Sequence, residues 1–208
     1  MKRIHLLLVL SLILVLNSPC ISMANSPGLK VGQKAPQIHT SDIAGSPFDL
    51  SNAEAEGPVM LFFYRGGWCP FCNTQLHQIQ EAVVPVAIKN HVTVVGISVD
   101  LPSEEAKTKA KHSLSLRLIS DSEAKVLASY RVQYRVPEAQ IALYKNEKQT
   151  DLEAASGQKH HIIAVPSIFL INQKGVVTYA YSDENYKKTF PSANEINEAI
   201  QKIQTIVN

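Results

Sequence analysis

Hydrophobic positions along this chain fall into two kinds of run. Val59-Met-Leu-Phe-Phe-Tyr64 and Val92 to Val99 (VTVVGISV) are short and nearly continuous, the pattern of strands buried on both faces. Leu116 to Ile119, Ile168 to Ile171 and Val176 to Tyr181 predict three further strands, the last two joined by a hairpin turn at Asn172-Gln-Lys-Gly175. Between these runs, apolar residues return at helical spacing. Leu76, Ile79 and Val83 predict a helix from Pro70 that Pro85 kinks or ends. Pro102-Ser-Glu-Glu105 predicts a helix start with an N-cap and an acidic first turn. Ser120-Asp-Ser-Glu123 and Ser192-Ala-Asn-Glu195 read as capping boxes, the first for a helix through Tyr130. The second opens a final helix with Ile196, Ile200, Ile203 and Val207 on one face. Residues 28–52 are polar and turn-rich, enough for a short hairpin, and residues 133–160 read as an irregular insertion loop. The alternation predicts one α/β domain with helices layered on a sheet.

The N-terminus has a different pattern. Lys2 and Arg3 precede an 11-residue apolar run, Leu6 to Leu16, which Asn17, Ser18 and Pro19 break. At about 1.5 Å per residue this run is too short to cross a hydrocarbon core of roughly 30 Å. Ser22-Met-Ala24 supplies small residues where a signal peptidase reads, so residues 1–24 predict a signal peptide and 25–208 the exported chain. Lipidation at Cys20 is disfavoured by Pro19, since a lipoprotein signal places a small residue there. Without Lys2 and Arg3, basic and acidic residues balance at 18 each, which leaves no electrostatic footprint for nucleic acid or an anionic membrane. Three Cys in 208 residues are too few for a disulfide-stapled scaffold.

Loss of Cys20 with the signal leaves Cys69 and Cys72. Closing so short a loop adds little stability, so a pair at this spacing points to redox chemistry or a metal. The segment Tyr64-Arg-Gly-Gly-Trp-Cys-Pro-Phe-Cys72 leaves a strand and opens a helix. Free backbone N–H groups and the helix dipole there favour thiolate over thiol, and Arg65 adds a nearby positive charge. The second sulfur is then spaced to attack a mixed disulfide formed by the first. Trp68 shields one side and offers apolar surface to a partner. A zinc site needs about four ligands, and there is no second Cys pair. No phosphate loop, nucleophile elbow or His-Glu-x-x-His pattern is present.

Trp-Cys-Pro-Phe-Cys after an apolar strand resembles the redox motif of the thioredoxin fold. Ala164-Val-Pro-Ser-Ile-Phe-Leu-Ile171 resembles the stretch that carries that fold's cis-proline, with Pro166 at the matching place. From Val31-Gly-Gln-Lys-Ala-Pro36 to the final helix, the chain is similar to the alkyl hydroperoxide reductase/thiol-specific antioxidant (peroxiredoxin) superfamily. Gly96-Ile-Ser-Val-Asp100, Leu118-Ile-Ser-Asp121 and Phe169-Leu-Ile-Asn-Gln-Lys-Gly175 carry this similarity. The resemblance implies a thioredoxin-like fold, a central mixed sheet flanked by helices with a peroxiredoxin-type N-terminal extension. It also implies a thiol protein or a peroxide as partner, no bound cofactor, and pairing of two copies. It aligns the peroxidatic Cys of peroxiredoxins with Cys72, their Thr or Ser with Cys69, their Pro with Arg65 and their later Arg with Pro166. Phe62 and Phe63 stand where thioredoxin has its buried Asp, so no obvious carboxylate is expected at the pair.

The expected activity is two-electron thiol–disulfide exchange through Cys69 and Cys72, with Arg65, Trp68 and Pro166 on the substrate side. Thioredoxin logic makes Cys69 the attacking sulfur; peroxiredoxin logic makes it Cys72. The alternatives are a thiol peroxidase and, from another class, a Cu(I) chaperone with His77 as a third ligand. His77 is otherwise a solvated helix residue, His160 and His161 loop residues, and Glu104 and Glu105 part of a solvated helix face.

Overall fold

The structure is a computed structural model that describes residues 27–147 and 149–205; the expected signal peptide and Val207 lie outside the described residues. A short antiparallel hairpin, β1 (His39–Ser41) and β2 (Pro47–Asp49), leads into α1 (Leu50–Glu56), where Asp49 accepts the Asn52 N–H as an N-cap. β3 (Val59–Phe63) is followed by α2 (Pro70–Gln78), a π-helical turn at 79–83 and α3 (Val84–Lys89). β4 (Thr93–Ser98), α4 (Pro102–Lys111), β5 (Arg117–Ser120) and α5 (Lys125–Ser129) continue the alternation. Then come β6 (Gln133–Arg135), α6 (Glu138–Glu147), α7 (Leu152–Ser156) and β7 (Ile162–Ala164). β8 (Ser167–Ile171), β9 (Val177–Ser182), α8 (Tyr186–Thr189) and α9 (Ala193–Thr205) follow.

The main sheet has the order β5-β4-β3-β8-β9. β3 lies at its centre, parallel to β4 with Phe62 opposite Gly96, and antiparallel to β8 with Phe62 opposite Ile168. This position explains the continuous apolar run, because successive side chains of β3 enter opposite layers. Val59, Leu61 and Phe63 pack with Tyr130 and Phe169 on one face. Met60, Phe62 and Tyr64 pack with Leu76, Ile196, Ile200 and Ile203 on the other, and Cys69 and Cys72 belong to this second layer. Among the described residues, no helix is long and apolar enough to cross a membrane.

Several expectations change. Residues 133–160 are not an irregular loop: they form β6, α6 and α7, with β6 paired to β7. The helical period escapes notice because α6 buries Tyr144 while its other apolar residues are at most partly covered. Pro85 does not end the helical run, which continues through a local irregularity just before it. The π turn lets the Val84 N–H reach the Ile79 carbonyl, and Pro85 then falls in the first turn of α3, where no N–H is needed. Ser192-Ala-Asn-Glu195 does form a capping box, with Glu195 accepting the Ser192 N–H and Ser192 accepting the Glu195 N–H. Ser120-Asp-Ser-Glu123 does not. Ala124 takes a left-handed conformation before α5, and the Asp121 carboxylate accepts from the Lys125 and Leu127 N–H groups. Ser103 is not an N-cap either, since Leu101 precedes Pro102 at the helix start. Glu105 is fully buried rather than part of a solvated face.

Candidate functional site

At the end of β3 the chain must turn sharply to deliver Cys69 to the mouth of α2. Gly66 makes this turn at φ 146°, a conformation costly for any residue with a Cβ. The Asp100 carboxylate, just past β4, accepts the Gly67 N–H at 2.8 Å and the Trp68 indole N–H at 3.3 Å. Asn73 on α2 reaches back to the Gly67 carbonyl at 2.9 Å. Cys69 is thereby fixed as the N-cap residue of α2 and Cys72 sits in its first turn, both buried with free thiols.

The two thiols are driven in opposite directions. Cys69 falls to about 6 because Cys72 donates to its sulfur; the Cys72 backbone N–H, the Tyr186 hydroxyl and the Arg65 charge add to this, against burial. Cys72 is pushed well up, first by burial and then by its neighbour Cys69. Arg65 is close to both. Its guanidinium carbon lies 5.3 Å, 5.4 Å and 5.8 Å from the ring centroids of Tyr144, Trp68 and Tyr186. It donates to the Tyr186 hydroxyl at 2.9 Å and to that of Tyr144. The Tyr186 oxygen lies 3.7 Å from the Cys69 sulfur. Arg65, Tyr144 and Tyr186 line two cavities of about 370 Å³ each; Val165 and Pro166 line one, Trp68 and Phe71 the other.

On the opposite side of the loop a second polar cluster is buried. Tyr64 donates to Glu105, the Ser98 hydroxyl donates to the same carboxyl, and the Asp100 N–H is accepted by Ser98. Burial raises Asp100 to about 7 and Glu105 to about 8.

The sequence-predicted residues Arg65, Trp68, Cys69 and Cys72 are therefore together, and Pro166 lines the cavity bounded by Arg65 and Tyr186. Pro166 differs from the expectation in one respect: no cis peptide bond occurs among the described residues, so Val165–Pro166 has the trans form that is the lower-energy state of most X–Pro bonds. A carboxylate does stand beside the Cys loop. It comes from the end of β4 rather than from β3, where Phe62 and Phe63 fill the core. His77 is exposed on α2, His160 bonds the Ser122 carbonyl and His161 pairs with Glu153, so the last two act within the loops. Among the described residues, no group of three or more His, Cys, Asp or Glu is arranged to hold a metal ion. Asp100, Glu105, Tyr144 and Tyr186 were not singled out as site residues by the sequence. Only Asp100 left a signal, as the last residue of Gly96-Ile-Ser-Val-Asp100.

Residues 31–180 match the AhpC/TSA family. Peroxiredoxin Bcp of Bacillus subtilis is 28% identical over 104 residues, covering 50% of this chain and 65% of that protein. The soluble secreted antigen MPT53 of Mycobacterium tuberculosis is 26% identical over 115 residues, covering 54% of this chain and 63% of that protein. The chain thus spans less than two thirds of the length of either relative. Among solved structures, peroxidoxin BcpB from Mycobacterium tuberculosis superposes with a TM-score of 0.63 at 20% identity, covering 86% of this chain and 99% of that one. Peroxiredoxin Q of Xanthomonas campestris gives a TM-score of 0.59 at 18% identity, with 82% and 92% covered. These likenesses establish the thioredoxin-like α/β fold, a mixed sheet flanked by helices.

Proposed function

The chain belongs to the AhpC/TSA family, and from that premise we propose that it is an oxidoreductase that exchanges two electrons through Cys69 and Cys72. The observation that carries this reading is the opposed pair of thiols: Cys69 lowered to about 6 beside Arg65, and Cys72 raised and fully buried next to it. A thiolate at neutral pH is the attacking sulfur; a protonated neighbour in contact with it is the resolving one. The Cys69 thiolate attacks one sulfur of a partner disulfide, and the other partner sulfur leaves as thiolate. Cys72 then loses its proton and attacks the Cys69 sulfur, expelling the second partner thiolate. The partner disulfide is reduced to two thiols and the Cys69–Cys72 disulfide forms; a thiol protein restores the dithiol by the reverse exchange. Arg65, Trp68 and Pro166 bound the two cavities where the partner segment would approach.

The similarity to proteins named peroxiredoxins favours a second substrate for the same pair. With a hydroperoxide, the Cys69 thiolate attacks the terminal oxygen and the O–O bond breaks, giving water or an alcohol and a sulfenic acid. Cys72 then displaces water to close the disulfide. The raised Cys72 thiol supports attack by Cys69 in this reaction too, in place of Cys72, to which the peroxiredoxin resemblance gives the attacking role. Export after cleavage at Ala24, leaving residues 25–208 as one domain, is part of the same proposal; the secreted antigen among the relatives supports it.

The test is reduction of insulin disulfides by dithiothreitol with the wild type, Cys69→Ser and Cys72→Ser. Cys69→Ser should drop to the rate without protein, and Cys72→Ser should accumulate a mixed disulfide at Cys69. Equal rates for all three would exclude exchange. Hydrogen peroxide consumption, with a dimedone adduct on Cys69 of Cys72→Ser, reads the peroxidase arm separately.

A further inference from the structure

From the contact between the Tyr186 hydroxyl and the Cys69 sulfur, we infer that Tyr186 is a catalytic residue that holds the Cys69 thiolate by a hydrogen bond. This rests on the reading of Cys69 as the attacking sulfur. The count of available protons fixes the direction of this contact. The Tyr186 oxygen accepts from the Arg65 guanidinium at 2.9 Å. A phenol has one proton, and with an arginine already donating to its oxygen, that proton is free to turn elsewhere. The Cys69 sulfur lies 3.7 Å from the same oxygen, within range for a bond to sulfur. A thiolate can only accept, so in the reactive state the direction of this bond is fixed.

The surroundings favour the same assignment. Burial, the largest influence on Tyr186, raises its pKa, so the phenol keeps its proton through the range in which Cys69 ionises. Arg65 cannot give up its charge at any ordinary pH, and it polarises the O–H that points at sulfur. Tyr144 accepts from a different nitrogen of the same guanidinium, which holds the fork in place. Tyr186 stands 117 positions from Cys69 on the short helix α8, after the sheet is complete. Its ring is placed edge-on against Phe71, with centroids 6.4 Å apart. The thiol proton of Cys69 leaves to solvent on ionisation; Tyr186 donates a hydrogen bond without transferring its own proton.

The experiment follows iodoacetamide alkylation of the reduced full-length chain against pH, read at Cys69 by fragment-resolved mass spectrometry. Wild type, Tyr186→Phe and Tyr181→Phe are compared, with circular dichroism as the check on folding. Tyr181 bonds Thr189 outside the site and serves as the control. Loss of a hydrogen bond to a charged group should move the Cys69 midpoint of Tyr186→Phe up by about one pH unit; Tyr181→Phe should stay with the wild type. Replacing Tyr186 by 3-fluorotyrosine, a more acidic phenol that retains the hydroxyl, should move the midpoint below the wild type even if the Phe variant folds poorly. Unchanged midpoints for the Phe and fluorotyrosine proteins, with a low wild-type value, overturn the role of Tyr186 and leave the exchange reading standing. A wild-type midpoint near the ordinary thiol value of about 8.5 overturns both.

Discussion

Tyr64 and Arg65 are neighbours in the chain, yet their side chains enter polar clusters of opposite character. Tyr64 points into the layer where Glu105, Ser98 and Asp100 share hydrogen bonds, and burial there keeps both carboxyls protonated far above their usual range. Arg65 points the other way, among Trp68, Tyr144 and Tyr186, and its charge helps to hold Cys69 ionised. Burial alone does not decide charge. One cluster holds its protons to higher pH because burial outweighs the hydroxyl and N–H groups that donate to it, and the nearby Glu104 and Cys69 charges raise Asp100 further. The other holds a full positive charge because π faces and two phenol oxygens receive the guanidinium. The Gly66-Gly67 turn lies between them, so the loop that presents Cys69 is tied to the acidic cluster on one side and to the arginine on the other.

Substitutions can separate these ties. Gly66→Ala should have the largest effect. A Cβ there would lie 2.6 Å from both Asp100 carboxylate oxygens and overlap the Trp68 indole nitrogen, at a positive φ. The expected cost is about 3 kcal/mol, read as a lower midpoint in urea unfolding. Arg65→Ala should leave the acidic cluster intact but raise the Cys69 alkylation midpoint by about one to two pH units, as the loss of a buried charge partner does. Asp100→Asn should act on the pH dependence of stability. Unfolded, Asp100 releases its proton near pH 4; folded, it holds it to about 7, so the native state binds more protons in that window and stability falls as pH rises through it. Thermal melts of Asp100→Asn should show a shallower fall over that window, by at most about 1.4 kcal/mol per pH unit. The smallest effect is expected for Tyr64→Phe. It removes one donor from Glu105 at a cost of about 1 kcal/mol, while the Cys69 midpoint stays unchanged.

Much of this arrangement was legible in local sequence. The strands β3 and β4 announce themselves as apolar runs because both of their faces are covered, and the Cys pair declares its place by following one such run. The cage around Arg65 was not legible, because Tyr144 and Tyr186 lie 79 and 121 positions away on α6 and α8. Tyr144 was hidden within a segment too polar to show a helical period. Glu105 reads as solvated for a related reason: α4 is rich in charge, and composition does not distinguish the buried Glu105 from its more exposed neighbour Glu104. That distinction depends on Tyr64 and Ser98 lying beneath the helix. Asp100 was visible as the end of a strand, but its contact with Gly67 and Trp68 depends on the parallel pairing of β3 with β4.

A pH titration of the reduced protein by NMR, with ¹³C-labelled cysteine β-carbons, follows both thiols in one sample. Cys69 should show an inflection near pH 6, and Cys72 none until well above pH 9. Titration of Cys72 before Cys69, or of both together near about 8.5, would contradict the assignment of Cys69 as the attacking sulfur.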